Sequence, residues 1–223
     1  MRTLKALLCL AGVAAATSVM AQSNVYSLNV VGYYNVTCGA NQKIIIANQL
    51  NTTNNTLNAL LPAGMVHDSD SIFKWNGAGF TPYTYSEIDG WSPNGDDTLG
   101  MGEAAFFLPV TATTLTFVGE VQQGQLSVNL IYPSQSMGSK VLISSIVPQQ
   151  GLLSTDLGFV AEDSDSVWTY NPAQDGNAYI PYVYSEIDGW SPSEPSLSVG
   201  QGFFSAKSPV AATASWVRNF TVQ

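Results

Sequence analysis

Residues 82–93 read Pro-Tyr-Thr-Tyr-Ser-Glu-Ile-Asp-Gly-Trp-Ser-Pro, and residues 181–192 repeat them with one change, Val183 for Thr84. Shorter matches flank this motif in the same order in both places: 43–46 with 140–143, 68–76 with 163–171, and 99–106 with 197–204. The copies lie roughly 100 residues apart, close to the size of a small domain. The sequence therefore predicts two homologous repeats, residues 22–123 and 124–223, packed together around a pseudo-twofold axis.

The hydrophobic pattern inside each repeat has the period of a β-strand. In residues 71–75, Phe73 and Trp75 fall on one face of an extended chain, opposite Ile72 and Lys74. The glycine-containing segment that follows is typical of a turn, and the next segment returns as a second strand. These two strands are predicted to form a hairpin.

Further strands are predicted on either side of the hairpin. Residues 113–121 alternate between apolar and polar side chains, whereas residues 44–47 and 141–143 are uniformly apolar and resemble strands buried on both faces. Pro82 and Pro181 cannot donate a ladder hydrogen bond, so we expect their strand to lie at a sheet edge.

One short helix is the only other element that the pattern predicts. Residues 56–61 have helical spacing, are preceded by asparagines that can cap a helix, and end at Pro62. The predicted fold is therefore all-β: two homologous sandwich- or barrel-like repeats packed together, with at most one short helix per repeat.

The N-terminus has the features of a secretory signal peptide. Residues 1–5 carry two positive charges, residues 6–16 are apolar, and Val19 and Ala21 fit the −3 and −1 positions of a cleavage site. We expect residues 1–21 to be removed and the protein to be secreted, outside the cell or in the envelope. Cys38 is then the single remaining cysteine. It could form an intermolecular disulfide, but a buried, unpaired thiol is the favoured interpretation.

The charge balance excludes two classes of partner. The 223 residues carry a formal net charge of −9, and two of the seven basic residues lie in the predicted signal peptide. An acidic surface does not bind nucleic acid, and no apolar stretch after the signal has the length of a membrane span. No phosphate-binding or dinucleotide motif is present, so no cofactor is predicted, and the protein is expected not to be an enzyme.

The repeated motif supplies the candidate ligand-binding residues, which are aromatic rings with nearby carboxylates. They are Tyr83, Tyr85, Glu87, Asp89 and Trp91 in the first copy, and Tyr182, Tyr184, Glu186, Asp188 and Trp190 in the second. Rings of this kind could stack on a sugar while the carboxylates accept hydrogen bonds from its hydroxyl groups. A polysaccharide is thus a possible partner, although a turn with a buried tryptophan is the favoured interpretation of the motif.

Catalysis is a remote alternative for the same residues. Glycoside hydrolysis needs two carboxyl groups about 5–9 Å apart, and residues two apart on a strand meet that spacing. Two complete catalytic centres in one small chain would be unusual, so we expect no turnover. His67 is the only histidine, Glu162 takes its place in the second repeat, and no nucleophile motif accompanies it.

Two acidic pairs suggest calcium as an alternative ligand. Asp68 and Asp70 in the first repeat match Asp163 and Asp165 in the second. Neither pair continues as an EF-hand loop, and each offers fewer carboxylates than a calcium site needs. A solvated turn before a strand is the favoured interpretation, and no metal site is predicted.

The beginning of the mature chain is a candidate for self-association. Residues 25–37 are uncharged and strand-prone. They could complete the fold of their own repeat, or they could add to the sheet edge of a second molecule. Self-association through this N-terminal strand is therefore predicted.

Several segments resemble a known group of proteins. They are residues 24–33, residues 72–77 (Ile-Phe-Lys-Trp-Asn-Gly), both Gly-Trp-Ser-Pro segments and residues 117–121 (Phe-Val-Gly-Glu-Val). Together they resemble secreted, two-repeat, β-rich proteins from bacteria of the Verrucomicrobia and Planctomycetes kind. The resemblance implies an exported bacterial protein and brings no activity, ligand or site residue with it. The expected function is a secreted, non-catalytic structural or interaction protein of the cell surface or extracellular matrix.

Overall fold

The computed structural model describes residues 30–133, 135–173 and 178–222. The predicted signal peptide lies outside these residues, as does the start of the predicted N-terminal strand. Sixteen strands and one four-residue helix make up the regular structure of the part described. The all-β prediction is confirmed.

The first repeat contains seven strands and the helix. The elements are β1 (Val31–Cys38), β2 (Ile44–Ala47), α1 (Leu57–Leu60), β3 (Ser71–Trp75), β4 (Phe80–Ser86), β5 (Gly90–Ser92), β6 (Ala104–Leu108) and β7 (Thr113–Glu120). Five strands form a sheet in the order β2-β6-β3-β4-β5, and β1 pairs with β7 in a separate two-stranded ribbon. All neighbouring strands are antiparallel.

The second repeat contains nine strands. They are β8 (Gly124–Asn129), β9 (Lys140–Ile143), β10 (Gly151–Leu152), β11 (Ser166–Tyr170), β12 (Tyr179–Ser185), β13 (Gly189–Ser191), β14 (Ser196–Leu197), β15 (Phe203–Ala206) and β16 (Ser215–Phe220). The large sheet has the order β9-β15-β11-β12-β13, and β8 pairs with β16 in a ribbon. Sheet and ribbon thus have the same topology as in the first repeat, and the small β10-β14 pair stands where the first repeat has the single bridge between Thr56 and Thr98. The boundary at residues 123 and 124 stays a prediction.

The period of two explains how each large sheet is buried on both faces. In β2, Ile46 contributes to the core between the sheet and its own ribbon, whereas Ile45 and Ala47 contribute to a second core on the opposite face. In β3, Ile72 and Phe73 divide in the same way. The uniformly apolar strands are therefore buried on both faces, as predicted.

The two large sheets pack against each other through their outer faces. The core between them draws on both repeats and consists of Ile45, Ala47, Ala104, Phe106, Leu142 and Phe204. We call this contact the seam. The chain is thus layered as ribbon, sheet, sheet and ribbon.

The seam has an approximate twofold relation between the repeats. One isolated bridge joins Ile46 to Gln201, and another joins Ile143 to Glu103. In the sequence match, Ile46 corresponds to Ile143 and Glu103 to Gln201. Each bridge therefore joins the isoleucine of one repeat to the equivalent second position of the other repeat. Such reciprocal contacts are what an isologous interface has.

Two local predictions need correction. The strands that contain Pro82 and Pro181 are not edge strands, because β4 lies between β3 and β5 and β12 lies between β11 and β13. However, β5 pairs only with residues Thr84–Ser86 of β4. Pro82 therefore lies in the part of β4 that pairs with β3 on one side and with no strand on the other. Helix α1 is capped by the side chain of Thr56, which accepts from the N–H of Ala59, rather than by a preceding asparagine.

Strand β1 completes its own repeat. All eight of its residues pair with β7. Cys38 at its end is fully buried and unpaired, which confirms the favoured interpretation, and burial raises the pKa of its thiol to about 12. Among the described residues, no helix is long and apolar enough to cross a membrane.

Candidate functional site

The repeated motif forms the hairpin that joins the last two strands of each large sheet. In the first repeat, Ser86 pairs with Gly90, and Glu87, Ile88 and Asp89 form the turn between them. The Ser86 hydroxyl oxygen accepts from the N–H groups of Ile88 and Asp89, at 3.2 and 3.4 Å. Gly90 has a φ of 76°, which explains why glycine is needed there.

The second copy builds the same turn from the same residues. Ser185 accepts from Ile187 and Asp188 at the same two distances, and Gly189 also has a φ of 76°. We call the residues 87–89 and 186–188 the two hairpin tips. Turn chemistry accounts for the serine and the glycine of the motif, but it places no requirement on the three side chains of each tip.

The acidic pairs hold this hairpin in place. Asp68 accepts from the N–H of Glu87 at 2.6 Å, and Asp163 accepts from Glu186 at 3.3 Å. The second aspartate of each pair is buried: Asp70 accepts from His67 and Val110 N–H groups, at 2.9 and 2.7 Å. The interpretation as a solvated turn is therefore wrong for the second aspartate, which anchors the chain before the strand.

The same contacts leave little for a calcium ion. The Asp70 oxygens are already used by backbone donors, and those of Asp165 are used by the N–H groups of Glu162 and Ser208. Over the described ranges, no group of three or more His, Cys, Asp or Glu residues could hold a metal ion. His67 is half-buried beside Thr111 and Asp70.

The aromatic residues of the first copy lie in the core. Tyr83, Tyr85 and Trp91 are 6%, 6% and 4% exposed. The Trp91 indole N–H donates to the carbonyl of Leu61, just after α1, and the Tyr83 hydroxyl donates to Asp97. Rings buried in this way cannot stack on a sugar while the fold is intact.

The second copy is more open at the same positions. Tyr182, Tyr184 and Trp190 are only half-buried. Tyr184 and Trp190 keep the ring contact seen in the first copy, at 5.3 Å between centroids, but both line a cleft of about 410 Å³. A turn at residues 153–157 takes the place of α1 there, because the Leu153 N–H donates to the Pro195 carbonyl as the Leu57 N–H donates to Asp97. The Trp190 indole N–H donates to the Ser154 hydroxyl of this turn.

The four carboxylates of the candidate site are exposed in both copies. Glu87, Asp89, Glu186 and Asp188 lie on the hairpin tips, and not beside the buried aromatic rings. The structure therefore separates the two halves of the predicted site: aromatic residues point inward or line a cleft, and carboxylates face solvent.

The apolar residue at the centre of each tip was not singled out by the sequence. Ile88 is 91% exposed and Ile187 is 92% exposed, each between an exposed Glu and an exposed Asp. The signal that could have identified them is their identity in both copies at positions where the turn does not need isoleucine.

A neighbouring hairpin shows that tips of this fold can diverge. The β3–β4 turn has two residues between its closing pair, Asn76 and Gly79, whereas the β11–β12 turn has six between Asn171 and Ala178. The two motif tips have kept both length and sequence in the same pair of repeats. The requirements of the fold do not explain why one pair of equivalent turns diverged while the motif tips stayed identical.

A second aromatic cluster, at the seam, was also not predicted as a site. Lys43 lies over the ring of Phe73 at 4.7 Å, and the corresponding Lys140 lies over Trp168 at 4.2 Å. Tyr179 lines a small cleft beside each lysine. The alternation in residues 71–75 placed Phe73 and Trp75 on one face of the strand. It did not show that this face packs against the other repeat.

The fold and the site define a duplicated all-β protein with two identical exposed turns. Comparison with protein-family models, with curated protein sequences and with solved structures gives no match to this chain.

Proposed function

We propose that the protein is a secreted, non-catalytic interaction protein of the cell surface or extracellular matrix that binds its partner through the two hairpin tips. The observation that carries the proposal is the exposure of Ile88 and Ile187, at 91% and 92%, on turns of identical sequence. Single exposed apolar residues are common on protein surfaces. Two at equivalent places, each flanked by the same two acids, form a matched pair of contact points.

The chemistry of the tips indicates what the partner presents. An isoleucine side chain fills a shallow apolar pocket, and Glu and Asp on either side favour a rim of basic groups around it. Two tips on one rigid molecule can engage a repetitive partner at two points, which raises avidity without any new contact. The acidic charge of the whole chain supports the same choice of a basic partner.

The test replaces the tip residues and measures retention of the purified protein by the envelope of the cells that produce it. Burying one isoleucine contributes about 1.5 to 3 kcal/mol, roughly a tenfold to hundredfold effect on affinity. We expect Ile88→Ser and Ile187→Ser each to weaken retention and the double variant to abolish it.

Val210 provides the matched control. It is 90% exposed and lies outside the motif, so Val210→Ser removes an equally exposed apolar side chain. We expect this variant to be retained like the parent protein. Retention of the double tip variant at the parental level would refute the proposal.

Carbohydrate binding is the second candidate, and the half-open cleft beside Trp190 favours it. Of the aromatic residues in the two motif copies, those of the second copy are the accessible ones, with Tyr184 and Trp190 beside Thr155 and Glu194 in the cleft wall. We expect Trp190→Ala to abolish retardation in a gel that contains the matching polysaccharide. Unchanged migration of the parent protein in a panel of neutral and basic polysaccharides would remove this candidate.

A further inference from the structure

Lys207 is a lysine with almost no contact with solvent. It is 1% exposed and follows directly after β15. Ser166 of β11 pairs with Ala206 of β15 at the end of the two strands. Asp165 precedes Ser166 and Lys207 follows Ala206, so these two residues lie opposite each other. A lysine is almost never buried unless it is paired with an acidic group.

Two acids and one carbonyl surround the lysine amine. The Lys207 Nζ atom contacts Asp165 Oδ2 directly, and it lies 3.1 Å from both Glu162 Oε2 and the carbonyl oxygen of Val160. The Phe159 ring covers the amine, with its centroid at 5.7 Å. A nucleophilic nitrogen and a carboxyl group thus meet in a buried site, and the partly exposed carboxylate of Glu162 lies at its solvent side.

The first repeat shows that the fold does not need this arrangement. There Asp70 holds the same position and makes the same two backbone hydrogen bonds, but Pro109 lies opposite it and His67 replaces Glu162. The anchoring role of the aspartate is therefore complete without a lysine. Lys207 and Glu162 are additions specific to the second repeat.

We propose that Lys207 and Asp165 condense into an intramolecular amide bond, with Glu162 as the proton relay. Glu162 takes a proton from the Lys207 ammonium group and passes it to Asp165 Oδ2. The neutral Nζ atom attacks Asp165 Cγ, the N–C bond forms and the C–Oδ2 bond breaks. The second proton lost from nitrogen follows through Glu162, and Oδ2 leaves as water. Ammonium and carboxylate become amide and water, and Glu162 ends as it began.

The surroundings favour this condensation over a lasting ion pair. Two charges taken out of water carry a desolvation cost, and the amide has no net charge to desolvate. Two reactants held in one geometry reach effective concentrations of about 10⁵ to 10⁸ M, far above those of free groups in water. The Ser208 N–H donates to Asp165 Oδ1 at 2.7 Å, where it stabilises the oxyanion of the tetrahedral intermediate.

Glu162 is held in place for the relay. Its Oε1 atom accepts from the Ala212 N–H at 3.1 Å, and Oε2 accepts from the Thr213 N–H at 3.1 Å. Burial tends to raise the pKa of Glu162, but the hydrogen bonds from Thr213, Lys207 and Ala212 hold it below its ordinary value. The group is therefore a carboxylate at neutral pH, and its Oε2 atom lies 3.1 Å from the Lys207 Nζ atom that gives up the first proton.

The test is mass spectrometry of the folded, full-length chain, incubated for days at neutral pH and then denatured and digested with trypsin. Lys207 is the only lysine between Lys140 and Arg218. An acylated lysine is not cleaved, so we expect one peptide, residues 141–218, lighter than its sequence by one water molecule. Fragmentation should place the bond between Asp165 and Lys207.

Three variants complete the test. Lys207→Arg should give cleavage after residue 207 and no loss of water, and Glu162→Gln should fold and leave most of the chain without the bond. Lys140→Arg is the matched control, because this lysine lies over the Trp168 ring and forms no ion pair with a carboxylate of the described residues, and it should retain the loss of water. Cleavage of the folded parent protein after Lys207, with both peptides at their sequence masses, would overturn the proposal and leave an ordinary buried ion pair.

Discussion

Trp91 and Trp190 hold the same place in the repeated motif but differ in burial. Trp91 is 4% exposed and is closed in by α1, whereas Trp190 is half-buried beside an open cleft. The two residues are identical in sequence context, so their difference arises from segments far away in the chain. The motif alone could not distinguish a core residue from one that lines a cleft.

We expect Trp91→Ala and Trp190→Ala to differ in their effect on stability. Removing Trp91 leaves a large cavity in the first core and should lower the free energy of unfolding by about 3 to 5 kcal/mol. Removing Trp190 only enlarges an existing cleft and should cost about 2 kcal/mol or less. Urea unfolding of both variants measures the difference, and equal losses would contradict the assignment of Trp91 to the core.

The candidate site was predictable only in part at the level of single residues. Repetition located the motif, and turn chemistry identified its serine and glycine. The sequence could not show which of the remaining motif residues are exposed. Tyr85 and Ile88 are both largely apolar and only three residues apart, yet Tyr85 lies in the core and Ile88 is 91% exposed. A tip of a hairpin cannot be recognised from hydrophobicity when its apolar residue faces solvent.

At the level of the element, β1 has one face in the core and one in solvent. Tyr34 is buried and stacks on Phe117 at 5.0 Å, whereas Tyr33 is 74% exposed and pairs across the ribbon with Val118. Deleting residues 22–37 would remove Tyr34 as well, so substitutions on the outer face are the cleaner test of self-association.

We expect Val31→Thr/Tyr33→Thr to abolish any self-association while changing the free energy of unfolding by less than about 1 kcal/mol. Both side chains lie on the outer face of the ribbon, at 70% and 74% exposure. Light scattering measures the mass of the assembly. Val217→Thr on the outer face of the second ribbon is the control, since Val217 is 42% exposed. Assembly that persists in the double variant would show that β1 is not the contact.

The strands were the part of the fold that the sequence predicted best. Alternation identified β3, β4 and β7, and uniform hydrophobicity identified β2 and β9, because these patterns depend only on which faces are buried. The edge position predicted from Pro82 was wrong. A proline has no N–H to donate, so it requires only that no neighbouring strand pairs with its own nitrogen, and the rest of its strand can be paired. A three-residue strand such as β5 can cover one end of its neighbour and leave the other end free.

At the level of the whole molecule, the seam is a hydrophobic core that both repeats share. It takes Phe106 from the first repeat and Phe204 from the second. Each large sheet would expose its outer face if the other repeat unfolded, so partial unfolding carries a large cost in exposed apolar surface. The sequence predicted that the repeats pack together, but it did not show that they do so through the outer faces of the sheets.

We expect a single unfolding transition, with equal calorimetric and van't Hoff enthalpies. Phe204→Ala should lower the stability of both repeats by about 3 kcal/mol. Cys38 reports on the first repeat, because its buried thiol, with a pKa of about 12, reacts only after unfolding. Faster labelling of Cys38 in Phe204→Ala, located by mass spectrometry, would confirm the coupling. Labelling at the parental rate would show that the repeats unfold separately.

The exchanged bridges between Ile46 and Gln201 and between Ile143 and Glu103 have a consequence for the origin of the chain. A surface that meets its own counterpart in this way has the geometry of an isologous homodimer interface. A half-length ancestor with the same sheet could pair with a second copy of itself, and its assembly would depend on concentration. Joining the two copies in one chain makes the partner permanently present, and it frees each half to change alone. The open cleft beside Trp190 and the lysine at position 207, both confined to one half, are changes of that kind.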